Sequence, residues 1–218
     1  MATILLTGFE PFGPDAVNPS WDAVCRLPEV IGTARVVRLR LPVEYDRAST
    51  MLAEAVRRER PDAVLCVGQA GGRSAITPEM VAINYDDAAL SDNAGVQRSG
   101  ASILPDGPAA YFTTLPIKSI AHAIRQSGAP AAVSFTAGTF VCNHLMYCLL
   151  HLLQHDFPAV CGGFIHVPFA SAQAALHPDA PSLPLDTIVR ALEAAVRVSG
   201  EYLAAGCGER HDAEGHVC

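Results

Sequence analysis

The chain has 218 residues, half of them hydrophobic and 17% charged, with a formal net charge of −7. That length suits one compact domain over residues 1–218 with a sizeable core, and the low charge content argues against a disordered chain. An acidic balance without a dense Lys/Arg cluster leaves no footprint for nucleic acid or an anionic membrane, so the expected partner is a small molecule or a peptide.

The chain enters directly as a strand at residues 3–7, with no charged leader or cleavage site before it. No apolar run approaches the roughly 20 residues that span a bilayer, and a cytoplasmic protein is expected. Apolar runs and helical periodicity then predict a helix at about 20–27, a strand at 34–41, a helix at 45–58 and a buried strand at 62–68. An extended pair or hairpin arm follows over 74–85, then a helix at 116–126, a strand at 131–135, a helix from Cys142 to about His155 and a strand at 160–167. The last element is an amphipathic helix over 185–204, with Leu185, Ile188, Leu192, Val196 and Leu203 on its apolar face. This succession predicts an α/β fold whose twisted, largely parallel sheet is covered on both faces. Ligands in such sheets gather beyond the carboxyl ends of the strands, where residues 8–19, residues 68–73 and the Gly138 turn fall.

The polar stretch 86–107, with Asp92-Asn93-Ala94-Gly95 and Pro105-Asp106-Gly107, reads as a functional loop or arm, or as a tolerated insertion. The tail at about 206–218 carries Cys207, His211, His216 and Cys218, but their spacing is poor for zinc, and a frayed, solvated terminus is expected instead. No metal or other cofactor is expected.

Seven cysteines, Cys25, Cys66, Cys142, Cys148, Cys161, Cys207 and Cys218, form an odd, irregularly spaced set without a C-x-x-C pair, which predicts free thiols in a reducing compartment. Cys142 stands apart, because Ser134-Phe135-Thr136-Ala137-Gly138-Thr139-Phe140-Val141-Cys142-Asn143-His144 places it where a strand hands over to a helix. The free N–H groups of a helix start can lower a thiol pKa from about 8.5 into the range of about 3.5–7.5, which makes Cys142 the candidate nucleophile. The other reading of Cys142 is a small core residue. His166 ends an apolar strand and could serve as the base, or be a structural histidine; His144, two residues after Cys142, points away from it and is a weaker candidate. Glu79 interrupts an apolar segment and needs a partner, which could be the imidazolium of His166, or else Arg73 or another surface cation.

Seven ordered blocks resemble one family: Thr7-Gly8-Phe9-Glu10-Pro11-Phe12-Gly13, Asn18-Pro19-Ser20, Gly68-Gln69-Ala70-Gly71-Gly72-Arg73, Gly107-Pro108-Ala109-Ala110-Tyr111-Phe112, Leu115-Pro116-Ile117-Lys118, Ala137 to His144 and Gly163 to Pro168. Together they are similar to the pyroglutamyl-peptidase I family of cysteine peptidases. The resemblance implies a three-layer α/β/α sandwich with a mixed central sheet, and removal of an N-terminal pyroglutamyl residue from peptides by Glu79, Cys142 and His166. It further implies that Phe9 and Phe12 line the lactam pocket, that Asn18 and the Gln69 backbone bond its polar edge, that Phe140 and Val141 close it, and that Leu90 joins the substrate-binding set. A homo-oligomer, commonly a tetramer, is also implied. An uncharged lactam cap suits such aromatic walls with a few hydrogen bonds. Three departures stand out. Met80 replaces an arginine after the glutamate, Ala89-Leu90-Ser91 replaces Arg-Ile-Pro, and Phe169-Ala170-Ser171-Ala172-Gln173 replaces a Pro-Glu-Gln pattern. The arginine missing at Ala89 would weaken catalysis if it acts on the scissile carbonyl or the loop. Two alternatives therefore stay in view, a catalytically weak or idle ligand-binding homologue and a phosphorylase-like enzyme on the same fold. The second lacks a glycine-rich phosphate cradle with Lys and Ser/Thr.

Overall fold

The computed structural model describes residues 1–205. In chain order the elements are β1 (Ala2–Phe9), α1 (Pro19–Val24), β2 (Val30–Ile31), β3 (Ala34–Leu41), α2 (Tyr45–Glu59), β4 (Ala63–Gln69), β5 (Thr77–Pro78) and β6 (Val81–Ile83). They continue with β7 (Ala110–Phe112), α3 (Ile117–Gln126), α4 (Val141–Asp156), β8 (Cys161–Val167), β9 (Phe169–Ala170), β10 (Ser182–Leu183) and α5 (Leu185–Ala205).

Side-chain alternation in the central strands sorts the core into two layers. Ile4 and Leu6 of β1, Leu65 and Val67 of β4, and Ile165 and Val167 of β8 share one apolar cluster with α1, α3 and α5. Leu5, Phe9, Val64, Cys66 and Phe164 turn the other way, into a cluster with α2 and α4. Every residue of β4 is buried, as a strand covered on both faces must be. The six-stranded sheet runs β2-β3-β1-β4-β8-β5; its inner pairs are parallel, while the outer strands β2 and β5 are antiparallel to their neighbours. The fold is the expected three-layer α/β/α sandwich with a mixed sheet.

The long elements fall where periodicity put them, while the short ones differ. Residues 131–135 form no named strand; they run beside β5 through single bridges, Ile76 to Ala131 and Glu79 to Ser134. Pro78 lies between those two points and has no N–H to donate, so the ladder is interrupted there. The expected arm at 74–85 divides into β5, which joins the main sheet, and β6, which pairs with β7.

The 86–107 stretch is held down at both the surface and the core. Asp92 accepts hydrogen bonds from the backbone N–H groups of Tyr45, Ala94 and Val96, and Asn93 N–H donates to Val43 O at 2.8 Å. The tail at 206–218, with its Cys/His donors, lies outside the described residues. Among the described residues no helix is long and apolar enough to cross a membrane.

Candidate active site

The carboxyl ends of β4 and β8 meet at one edge of the sheet, with Gly68 opposite His166 in the parallel register. On the far side His166 pairs with Thr77 of the antiparallel strand β5. The histidine thus occupies the rung where the sheet changes direction. Phe164 faces the α2/α4 layer, so His166, two residues on, faces it too.

Helix α4 enters that layer from the Gly138 turn (φ 80°), with Phe140 as N-cap and Cys142 as its second residue. Gly68 makes this approach feasible. A Cβ added there would lie 2.9 Å from Cys142 Sγ and 2.7 Å from Phe164 Cζ, closer than carbon tolerates. The sulfur therefore rests against the β4 backbone beside the His166 rung.

Glu79 is fully buried and its backbone N–H donates to Phe164 O at 2.9 Å, which hangs it beside β8. Its Oε1 lies 2.7 Å from His166 Nδ1 and accepts from Arg73 Nη1 at 2.5 Å. The two partners weighed for this carboxylate are therefore both present. Burial pushes the Glu79 carboxyl up, but the His166 hydrogen bond and charge, together with Arg73, outweigh it and hold the group below its ordinary range. An ionised carboxylate on Nδ1 fixes the proton there and leaves Nε2 as the acceptor.

Cys142 keeps some solvent-accessible surface, yet protein crowds the sulfur. Burial pushes its thiol up to about 12, the Glu79 charge adds to this, and Arg73 opposes it. The thiol lowered by the helix start, expected from sequence, is not what the site shows, because desolvation outweighs the partial charges of the first turn.

His144 is buried and turned away from the sulfur, as expected. Its Nδ1 lies 2.8 Å from Asp86 Oδ2 and its Nε2 lies 3.8 Å from Asp46 Oδ1. Arg98 bridges the same two carboxylates at 2.8 and 2.7 Å.

Cys142 floors a narrow cavity of about 30 Å³, lined also by Phe9, Phe12, Asn18, Val43, Gln69, Phe140 and Val141. Phe140 stands edge-on to Tyr45 at 5.5 Å and 6.3 Å from Phe12. Seven of the expected residues converge here, and Val43 is an addition that its place just beyond β3 could have signalled. Asn18 has a structural task as well, since its Oδ1 caps α1 by accepting from Ser20 N and Oγ, and its Nδ2 donates to Glu10 O at 2.9 Å. One Nδ2 hydrogen is left for a ligand. Leu90 does not line the cavity; it is half exposed, because Asp86 and Asp92 pin the loop on either side of it.

Comparison with known proteins settles the lineage. The sequence signature of pyroglutamyl peptidases matches residues 2–202. The chain belongs to the pyroglutamyl peptidase family. A pyrrolidone-carboxylate peptidase of Escherichia fergusonii is 53% identical over 197 residues, covering 90% of this chain and 92% of that protein. The crystal structure of pyroglutamyl peptidase I from Bacillus amyloliquefaciens is 48% identical and superimposes with a TM-score of 0.90, covering 93% of this chain and 98% of that one. The pyrrolidone carboxyl peptidase of Thermococcus litoralis is 36% identical with a TM-score of 0.92, over 98% and 100% of the two chains. Within this pyroglutamyl peptidase framework Met80 packs, partly buried, against the core.

Proposed function

We propose that the chain is a cysteine exopeptidase that hydrolyses the amide bond after an N-terminal pyroglutamyl residue, with Cys142 as nucleophile, His166 as base and acid, and Glu79 orienting His166. The observation that carries this reading is the buried Glu79–His166 pair, 2.7 Å apart, on the rung that Cys142 Sγ adjoins.

In the first step His166 Nε2 takes the thiol proton as sulfur attacks the pyroglutamyl carbonyl, and the ionised Glu79 stabilises the imidazolium that forms. The positive charge appears on the ring beside the carboxylate, where it offsets the desolvation of the thiolate. The Cys142 backbone N–H, unbonded within the first turn of α4, donates to the developing oxyanion. His166 then protonates the departing amine. Water, activated by the same ring, cleaves the thioester and releases pyroglutamate.

The walls of Phe9, Phe12, Val43, Phe140 and Val141 supply apolar contact for the lactam ring, while the Gln69 backbone and the spare Asn18 N–H meet its polar edge. The protein acts in the cytoplasm, where its thiols stay reduced. It works as a homo-oligomer; the exposed Phe112, beside a surface cleft lined by Tyr111, Leu150, Leu153 and Val160, supports contact between copies.

The test is hydrolysis of a pyroglutamyl chromogenic amide by wild type, by Cys142→Ser and by iodoacetamide-treated enzyme. Turnover is expected from untreated wild type alone, with the serine variant at least about a thousandfold slower, and with no dependence on phosphate. Comparable turnover by Cys142→Ser would remove the sulfur from the reaction.

A further inference from the structure

Arg73 sits at the end of the 68–73 loop, and a single guanidinium there ties the β5 segment to the loop that leads into α4. Nη1 donates to Thr77 Oγ1 on β5 and to Glu79 Oε1, both at 2.5 Å, and Nη2 donates to Thr136 O at 2.9 Å in the loop that leads into α4. Those segments carry the carboxylate and the cysteine. The close hydrogen bonds of Glu79 fall on Oε1, while Oε2 is buried with no hydrogen-bond partner, so rotation of the carboxylate is resisted chiefly by His166 and Arg73.

From this geometry we infer that Arg73 is a positioning residue for the hydrolysis, holding Glu79 in register with His166 and cancelling the carboxylate's charge as the Cys142 sulfur meets it. The inference rests on the proposed roles of Glu79 and His166. A fully buried carboxylate close to a thiol opposes thiolate formation, and here the Glu79 charge acts upward on the Cys142 thiol while Arg73 acts downward. The site needs the carboxylate for His166 and must hide it from the sulfur. A guanidinium, charged at every accessible pH, can do this without competing for the proton. The other titratable groups packed near the sulfur have partners or roles of their own. Cys66 of β4 is a buried thiol pushed up to about 12, His166 of β8 is itself bonded to the Glu79 carboxylate, and His144 of α4 is bonded to Asp86.

The test compares wild type with Arg73→Gln, Arg73→Met and Arg73→Lys. Iodoacetamide labelling of Cys142 is followed against pH by mass spectrometry of its peptide, which separates it from the other thiols, alongside kcat, KM and melting temperature. In Arg73→Gln the labelling midpoint is expected to rise by about one pH unit, labelling at pH 7 to slow five- to tenfold, and kcat to fall with KM held within about twofold. Arg73→Lys should recover most of the labelling rate because it restores the charge. Arg73→Met fills the same space without charge and carries the same expectation as Arg73→Gln, so misfolding of one neutral variant leaves the other to decide. An unchanged labelling profile in a folded neutral variant overturns the inference, whether or not kcat falls. His166→Gln and Glu79→Gln are run in parallel. If both stay fully active the underlying assignment fails, whereas inactive parallels with an indifferent Arg73→Gln remove Arg73 alone.

Discussion

Glu79, His166 and Arg73 meet beside Cys142, and Asp86, His144 and Arg98 meet beneath the 86–107 loop. Each cluster is a buried carboxylate sharing one oxygen between an imidazole Nδ1 and a guanidinium, at 2.7 and 2.5 Å in the first and 2.8 and 2.8 Å in the second. They differ in what the remaining ring nitrogen meets. His166 Nε2 is left as an acceptor next to a thiol, while His144 Nε2 faces a second carboxylate, Asp46, at 3.8 Å. Burial lowers the His144 pKa, but hydrogen bonding to Asp86 and to the Cys148 thiol, with the negative charge at both, outweighs it and raises it to about 9. A ring held as imidazolium at neutral pH cannot take a proton from sulfur, however near in sequence it lies. The same three side-chain types thus surround the proposed base in one place and form a clasp in the other.

The largest effect expected from breaking this contrast is on activity. His166→Gln should lower kcat/KM by at least about a thousandfold, while His144→Gln should lower it less than about tenfold and act on stability instead. Equal losses in steady-state assays of the two purified variants would erase the distinction.

The next effect is a pH dependence. The folded pKa of His144, about 9, lies above the unfolded value of 6.5, so its contribution is complete below about pH 6.5 and disappears as pH rises through about 9. Urea denaturation should show wild type more stable than His144→Gln at pH 6, with the gap shrinking by about 2–3 kcal/mol by about pH 9.5. A constant gap would mean that the ring is neutral in the clasp.

The smallest effect tests what the sulfur adds to its cluster. Gly68→Ala places a carbon 2.9 Å from Cys142 Sγ, and should displace it from the His166 rung, lowering kcat/KM about tenfold at a stability cost of about 1–3 kcal/mol. Full activity in this variant would show that the sulfur need not lie against β4.

The long elements were legible because period-2 and period-3.6 apolar patterns run far enough to be read, as in β1, β4, α2 and α5. Cys142 was legible too, since a polar turn ending in Gly138 before an apolar helix marks a helix start. Strands of two or three residues carry no period, so β5, β6 and β7 could not be separated, and the break at Pro78 was visible only once its neighbour was known. The sharing of Glu79 between His166 and Arg73 depends on a rung 87 residues apart in sequence, and Asp86 is 58 residues from His144; spacing does not encode such pairings. The elevated thiol was missed for a different reason. Helix-start chemistry is local and readable, whereas desolvation depends on everything packed around the sulfur.

The strand that delivers Glu79 is also the last in the main sheet, two residues long and joined to β8 through Thr77, Pro78 and the Glu79 N–H. Heat should loosen this margin ahead of the parallel centre, because few bonds hold it and none of them is repeated. Warming would then silence the molecule before melting it, with turnover vanishing while circular dichroism still reports intact helices.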